Sequence, residues 1–184
     1  DLVNRYEKYL TNEATGYFDV EEVENIVDYY LRKGRTRDSA QVLELGLRLH
    51  PGSSSLMIKR AKIFLAMGDT PKAFKILENY THTNDYELNL LKIEALCRLD
   101  RIREAHTVCD QIILHETDEI DAVCMDISLI FRSVLDMESA LKYLNIGDNY
   151  NPNNIELLFD LAFCHESMMN SHKAVQVYKR IIDI

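Results

Sequence analysis

Residues 155–184 read IELLFDLAFCHESMMNSHKAVQVYKRIIDI, and their apolar residues follow the spacing of two amphipathic helices joined by a tight turn. Ala174 lies early in the second helix, where a small side chain lets the axes of two packed helices approach closely. A small residue returns along the chain at intervals of 34, 32, 35 and 34 residues, at Ser39, Ala73, Ala105, Ala140 and Ala174. An interval of this length predicts a helical repeat.

Other positions keep the same interval and support the repeat. The residue nine before each small residue is apolar or aromatic in four cases and His165 in the fifth. Gly34 supplies the positive φ at which a first helix ends, and Asp19 with Glu22 forms a capping-box start. We therefore predict an all-α chain of five two-helix repeats, 20–53, 54–85, 86–120, 121–154 and 155–184. Residues 1–19 are expected to form a capping helix or the remnant of a further repeat, with Leu2, Val3, Tyr6 and Leu10 on one face.

The pattern resembles the tetratricopeptide repeat family over residues 20–184. The residues that carry the resemblance are Leu158, Leu161, Ala162, Ala174, Val175, Tyr178 and Ile181, together with Ala140, Leu144, Gly147 and Pro152. The resemblance implies a right-handed superhelical solenoid that acts as a protein-interaction scaffold and carries out no catalysis. The chain departs from the family in having no Trp, in Arg60 and Lys92 at slots that are usually apolar, and in a short repeat around residues 81–84.

Composition excludes several classes of function. The formal net charge of −9 and the pI near 5.1 disfavour nucleic acids and anionic membranes, which bind to concentrated cationic surfaces. No apolar stretch approaches the length of a membrane span. The four cysteines lie in helical patterns without CxxC spacing, so we expect buried free thiols and a cytoplasmic location. Because the first residue is Asp1, a removed signal peptide stays open as an alternative.

Neither a catalytic, a cofactor-binding nor a metal-binding motif is present, since the P-loop, GxSxG and HExxH patterns are all missing. Five histidines are expected at helix ends, in turns or on outer faces: His50, His82, His106, His115 and His172. His165 occupies a core slot beside Cys164, and neighbouring helical residues point about 100° apart, which disfavours a nucleophile pair. We expect a packed core histidine there and no enzyme within these residues.

Binding residues are expected on the first helix of each repeat, which lines the concave groove of such solenoids. Spacings of 3, 4 and 3 residues within each first helix select the groove row. The predicted groove residues are Glu24, Asp28, Ile58, Lys62, Leu90, Glu94, Met125, Leu129, Arg132, Phe159, Phe163 and Glu166, and the same rows also include Leu65 and Cys97. Six large apolar side chains in this set predict an exposed apolar ribbon, which is typical of an interface.

The charges of the predicted groove favour some partners over others. Glu24 and Asp28 would repel the acidic tails that some tetratricopeptide domains bind through Lys and Asn, so we expect a basic or apolar protein or peptide. Two alternatives stay open: a recruiting or regulatory module of a longer enzyme or sensor, and a self-assembling architectural array. We also expect Val177, Ile181 and Ile184 to present an uncovered apolar face, as in a fragment of a longer array that self-associates there.

Overall fold

The computed structural model of the chain describes residues 2–11, 16–80, 85–115 and 118–184, which form eleven α-helices and no β-strand. The chain divides into two compact units, 1–81 and 82–184. The first compact unit holds α1 Leu2–Leu10, α2 Val20–Arg32, α3 Thr36–Leu49, α4 Ser54–Ala66 and α5 Thr70–Leu77. The second compact unit holds α6 Tyr86–Arg98, α7 Ile102–His115, α8 Ile120–Ser133, α9 Met137–Tyr150, α10 Ile155–Ser167 and α11 Ser171–Asp183.

The helices from α2 onward pair as helical hairpins. Each first helix packs on the helix that follows it, in the pairs α2–α3, α4–α5, α6–α7, α8–α9 and α10–α11. All five small residues that define the repeat are buried at these crossings: Ser39, Ala73, Ala105, Ala140 and Ala174. Their burial confirms the register predicted from the sequence, because a larger side chain at these positions would separate the two helix axes.

Two glycines lie at a second close approach, seven residues after the small residue. A Cβ atom on Gly147 would lie 2.6 Å from Cδ1 of Leu157, a residue of the next repeat. On Gly46 it would lie 2.5 Å from Cγ1 of Val23 and 3.2 Å from Cδ1 of Leu56. These distances are shorter than a van der Waals contact, so the absence of a side chain sets how closely Gly147 approaches the next repeat and how closely Gly46 approaches both α2 of its own repeat and α4 of the next.

The turn inside each repeat uses one left-handed residue, always five positions before the small residue. Gly34 and Gly68 occupy this position with φ of 69° and 80°, as the sequence predicts for Gly34. In the second compact unit the position is filled by Asp100, Leu135 and Met169, with φ of 59°, 65° and 58°. Non-glycine residues pay a steric cost in this region, so these three turns are strained.

A recurring hydrogen bond holds these turns. In each repeat the amide that follows the left-handed residue donates to the carbonyl nine residues before the small residue, at N···O distances between 2.8 and 3.0 Å. This bond satisfies a carbonyl that the end of the first helix leaves without a helical partner. It explains why the backbone keeps a left-handed residue at this position even where glycine is missing.

Side chains cap most first helices. Asp19 accepts from the amide of Glu22 at 2.8 Å and Glu22 bonds back to the Asp19 amide, which confirms the predicted capping box. Ser53, Asp85 and Asn154 cap α4, α6 and α10 in the same way. Each cap fixes the residue at which a first helix begins.

α1 is attached to α2 by aromatic and ionic contacts. Tyr6 is buried against the rings of Phe18 and Tyr30 at centroid distances of 5.9 and 6.3 Å, and Arg5 pairs with Glu22 at 2.6 Å. Leu10, which the sequence places on the packing face, is exposed. It lines an open cleft between α1 and α3. Leu10 is not needed for the contact between α1 and α2, because that contact is made mainly by the aromatic residues.

Of the apolar face expected at the end of α11, Ile184 is exposed as expected, whereas Val177 and Ile181 are not. Val177 is buried, because α11 turns it toward α10 within the repeat, and Ile181 is half-buried. Val175, Ile182 and Ile184 are the exposed apolar residues of this region.

Replacing Ala140 by Leu is expected to lower the free energy of unfolding by about 1–3 kcal/mol, because the added atoms have no room at the α8–α9 crossing. Chemical denaturation monitored by circular dichroism measures the change. Ala122→Leu is the matched control on the exposed face of α8 and should alter stability by no more than about 0.5 kcal/mol. Equal effects of the two substitutions would contradict the packing role of Ala140.

Replacing Leu135 by Gly is expected to raise the free energy of unfolding by about 0.5 kcal/mol. The relief of left-handed strain, about 1–2 kcal/mol, exceeds the entropic cost of glycine, about 0.5–1 kcal/mol. Gly34→Ala at the equivalent turn should have the opposite sign, since its φ of 69° strains any side chain. Thermal denaturation of both variants tests the pair, and a loss of stability in Leu135→Gly would refute the strain argument.

Candidate functional site

The predicted binding residues of the first compact unit are half-buried and partly neutralised. Glu24, Asp28, Ile58 and Lys62 all keep some exposure on α2 and α4. Nζ of Lys59 lies 2.9 and 3.1 Å from the two carboxylate oxygens of Asp28, and Nζ of Lys62 lies 3.9 Å from one of them. These contacts join α2 to α4 and compensate the charge of Asp28, which the sequence pattern alone presents as an uncompensated acid.

Two members of the predicted rows are wrong. Leu65 and Cys97 are buried, and burial raises the pKa of Cys97 to about 12. Both residues lie ten positions after the first member of their row. Since each helical residue turns the direction by about 100°, ten positions leave them about 80° away from that member and closer to the core. The fourth position of a 3-4-3 row is therefore the least reliable guide to exposure.

The second compact unit carries a cluster of exposed apolar side chains on α8 and α10. Leu129, Phe159 and Phe163 are 59%, 51% and 44% exposed, as predicted. Met125 is less exposed than these three residues. It is half-buried, and the side-chain amide of Asn154 lies 3.8 Å from its sulfur. Arg132 adjoins these residues. We call these five residues, Met125, Leu129, Arg132, Phe159 and Phe163, the α8–α10 patch.

An ion pair organises the patch. Arg132 donates to the carboxylate of Asp160, and this bond ties α8 to α10. The same guanidinium lies over the ring of Phe163, 4.5 Å from its centroid. The edge of Phe159 meets the ring of Tyr178 on α11, with centroids 6.4 Å apart. These contacts restrict the rotamers available to both phenylalanines.

Acidic side chains share the first helices of this unit with the apolar residues. Glu87, Asp126, Glu156 and Glu166 are exposed on α6, α8 and α10, at helical spacing from the apolar residues. Asp126 accepts from the hydroxyl of Tyr86 at 2.7 Å, a bond between adjacent first helices. The positive charge of Arg132 is already compensated by Asp160.

The remaining predicted residues of this unit, Leu90 and Glu94, are half-buried, and Glu94 pairs with Arg98 at 2.5 Å.

The expectation for His106 is wrong, because it lies between helices rather than on an outer face. Its ring stacks on Phe131 with centroids 5.2 Å apart. Nδ1 lies 2.7 Å from the hydroxyl of Tyr143, and Nε2 lies 3.3 Å from Oγ of Ser139. Tyr143 donates to Asp110, so a neutral His106 donates from Nδ1 and accepts at Nε2. The imidazole thus joins α7 to α8 and α9.

The other expectations for reactive side chains have mixed outcomes. His115 and His172 are exposed and His50 is half-buried, while His82 lies outside the described residues. His165 is half-buried with no hydrogen-bond partner for its buried Nδ1. All four cysteines are free and buried, as expected, and burial raises the pKa of each thiol. A raised thiol pKa opposes nucleophilic chemistry at neutral pH. Among the described residues no group of His, Cys, Asp or Glu is arranged to hold a metal ion.

Known proteins resemble this chain in structure. Three solved structures illustrate the likeness, and each covers most of the chain. A Podospora anserina protein with "kinesin light chain nearly identical TPR-like repeats" has a TM-score of 0.68 and 12% identity, over 89% of this chain and 93% of its own. MamA from Desulfovibrio magneticus has a TM-score of 0.60 and 13% identity, over 89% and 93%. PilW, a type IV pilus biogenesis factor, has a TM-score of 0.62 and 16% identity, over 88% and 77%.

These likenesses establish the class of fold. The chain has the all-α solenoid fold of tetratricopeptide-type repeats, as the small-residue register predicts. No family model and no curated protein matches the sequence. At identities of 12–16% the similarity concerns the fold, so the function has to be argued from the side chains. In the part of the chain that the structure describes, no helix has the length and apolar character needed to cross a membrane.

Replacing His106 by Gln is expected to make stability less sensitive to acid. Burial, with a smaller contribution from Lys142, lowers the pKa of His106 from its ordinary 6.5 in the folded chain. As the pH falls, this histidine therefore takes up a proton in the unfolded chain before it does so in the folded chain. The stability associated with neutral His106 is lost as the pH falls below about 6.5.

The free energy of unfolding at pH 7.5 and pH 5.5 measures this difference. The loss between these values should be smaller in His106→Gln than in the original chain, whereas exposed His172→Gln should leave the loss unchanged. An identical loss in all three proteins would show that His106 does not contribute.

Proposed function

We propose that the chain binds a segment of another protein on the exposed face of its first helices and carries out no reaction on it. The observation that supports this proposal is the α8–α10 patch, in which Leu129 on α8 and Phe159 and Phe163 on α10 are large apolar side chains that remain exposed, with Arg132 of α8 lying over the ring of Phe163. Large apolar side chains gathered on a surface are typical of interaction sites. The fold agrees with this role, because each repeat adds one first helix to a row of side chains.

The organisation of the patch favours binding of a specific partner over nonspecific hydrophobic association. The ion pair with Asp160 and the ring of Phe163 hold the Arg132 side chain from two sides. A partner that docks here would lose less free energy to ordering these side chains, because their contacts with one another already restrict their rotamers. Aromatic and arginine residues are also the side chains that most often dominate binding energy at protein interfaces.

The charges favour an apolar segment with basic rather than acidic residues beside it. In the second compact unit, Glu87, Asp126, Glu156 and Glu166 lie at helical spacing from the apolar residues, and the one cation in the patch is paired. An acidic segment would meet repulsion, whereas Lys or Arg side chains of a partner would find carboxylates within reach. The proposed contact residues on this unit are Leu90, Glu94, Met125, Leu129, Arg132, Phe159, Phe163 and Glu166.

The first compact unit is proposed to add weaker contacts of its own. Glu24, Asp28, Ile58 and Lys62 are half-buried, so each offers less area to a partner than the exposed phenylalanines. The contacts of Asp28 with Lys59 and Lys62 leave little net charge at that position. We therefore place the main binding energy and the charge preference on the second compact unit.

Four free thiols favour a reducing compartment such as the cytoplasm.

The double substitution of Leu129 and Phe163 by Ala is expected to weaken binding by at least about tenfold while changing stability little, because both side chains are exposed. The test selects peptides from an unbiased displayed library on the complete chain, then measures their affinity for the original and substituted chains by calorimetry. The selected peptides should be rich in apolar and basic residues.

Leu114→Ala provides the matched control, since Leu114 is an exposed leucine on α7 away from the first-helix face. It should leave the affinity unchanged. Selection of acidic peptides would overturn the charge preference. Severe destabilisation by Leu129→Ala and Phe163→Ala would show that these side chains belong to the core and would overturn the site itself.

A further inference from the structure

The cleft between α1 and α3, here called the α1–α3 cleft, has the size of a small-ligand site. Its volume is about 530 Å³. Tyr6, Tyr9 and Leu10 line it from α1, and Ala40 and Leu45 line it from α3. The cleft exists because α1 packs on α2 and, among the described helices, does not pack on α3. Most of its lining is therefore apolar or aromatic.

A small residue on α3 leaves room in the cleft. Ala40 directly follows the small residue that defines the repeat, and the equivalent residues of the other repeats are larger: Phe74, His106, Leu141 and Val175. A leucine at position 40 would fill part of the space that the cleft offers to a ligand.

The opening of the cleft does not depend on where the array of repeats begins. α1 stands where the second helix of a preceding repeat would stand, since Tyr9 lies 34 residues before Leu43. Among the described helices of each compact unit, the first helix of a repeat does not pack on the second helix of the next repeat, as the pairs α2–α5, α6–α9 and α8–α11 show. A first helix before α1 would therefore stay clear of α3 and leave the cleft open.

Tyr6 brings a hydroxyl without a partner to the cleft. The hydroxyls of two other buried tyrosines, Tyr30 and Tyr143, donate to Glu7 and Asp110 at 3.2 and 3.3 Å. The hydroxyl of Tyr6 makes no hydrogen bond with any residue that the structure describes, yet it is not sealed from solvent. The 2% of Tyr6 that stays exposed therefore includes the hydroxyl, on the side that lines the cleft. Burial raises the pKa of Tyr6 to about 12, so at neutral pH this hydroxyl is a donor.

Arg48 adds a positive charge that no described acid compensates. Glu44 also lines the cleft, but Nη2 of Arg60 lies 3.3 Å from its carboxylate. The carboxylate of Asp38, on the same helix, is held by Nε of Arg35 at 2.9 Å. Arg48 is exposed, lines the cleft and forms no ion pair within the part of the chain that the structure describes. The charges around the cleft therefore favour an anionic ligand.

The two donors act on the same part of the cleft. The charge of Arg48 lowers the pKa of Tyr6, against the effect of burial, so the guanidinium lies near the hydroxyl. A carboxylate accepts from a guanidinium and from a hydroxyl at once, and bonds of this kind are stronger than those between neutral groups. A ligand that binds both groups would also remove the cost of leaving the Tyr6 hydroxyl unpaired.

We propose that the α1–α3 cleft binds a small carboxylic acid with an aromatic or branched apolar body. The body lies against Tyr6, Tyr9 and Leu45, and the carboxylate accepts from Arg48 and from the hydroxyl of Tyr6. A neutral ligand would leave Arg48 unpaired, and a cationic ligand would be repelled by it. The proposal does not depend on the proposed function, because no residue of the α8–α10 patch lines the cleft.

The probes are 4-phenylbutanoate and its neutral analogue 4-phenylbutanamide, which share one apolar body. The complete chain is titrated with each at neutral pH, and backbone amide shifts in NMR spectra report the affinity and the place of binding. We expect the acid to bind at least about threefold more tightly than the amide. Arg48→Gln should lower the affinity of the acid to that of the amide. Arg103→Gln, at an exposed arginine of α7 that does not line the cleft, is the matched control and should change neither affinity.

Two further variants test the hydroxyl and the space. Tyr6→Phe keeps the ring and should weaken binding of the acid by about threefold or more. It should not lower the stability measured by chemical denaturation, because the hydroxyl has no partner in the folded chain. Ala40→Leu should weaken binding of both probes by about tenfold or more, since its side chain occupies the cleft. Circular dichroism confirms that the variants stay folded.

Four results would overturn the proposal. The first is equal affinity for the acid and the amide, or no binding of the acid. The second is unchanged affinity for the acid in Arg48→Gln or Ala40→Leu, because the acid would then bind elsewhere. The third is a marked loss of stability in Tyr6→Phe, which would show that the hydroxyl is paired. The fourth is binding of a peptide that ends in phenylalanine without binding of 4-phenylbutanoate, which would assign the cleft to a protein terminus.

Discussion

The structure depends on one constraint, the close crossing of two helices at a small side chain. Ser39 and four alanines are buried at the five crossings, and a larger residue there would separate the axes. Because the crossing sets the distance between the two helices, it also sets the length of the turn, which in every repeat places its left-handed residue five positions earlier. The strain at Asp100, Leu135 and Met169 follows from this geometry, since the backbone bond of the turn is kept without glycine.

The same crossing decides which surface is free to bind. Within each compact unit, a first helix packs on its own second helix and on the adjacent first helix, which leaves one stripe of its side chains uncovered. In the second compact unit that stripe carries Leu129, Phe159 and Phe163, and Arg132 holds the cluster through Asp160. Under the proposed function, stability and recognition would therefore use different sides of the same helices. Substitutions on the stripe can change a partner with little effect on folding.

Periodicity predicted the helices and their register, because burial on a helix repeats with the turn of the helix. It could not predict contacts between repeats, which depend on the distance between two first helices. Lys59 with Asp28 and Arg132 with Asp160 are separated by 31 and 28 residues, so no local spacing indicates them. Leu65 and Cys97 were misplaced because a 3-4-3 row drifts around the helix. His106 was misplaced because its partners, Phe131 and Tyr143, belong to the next repeat.

The packing between adjacent repeats shows which contacts hold a helix on a pair of helices, since the first helix of a repeat packs on the two helices before it. The joint between α8–α9 and α10 uses buried leucines, a carboxylate held by two asparagines, and one ion pair. The equivalent positions on α10 and α11 carry different side chains. Ile155 and Ile182 stand where α8 and α9 have Asp121 and Asp148, which adds apolar area. Glu166 stands where α8 has Arg132, which reverses the charge.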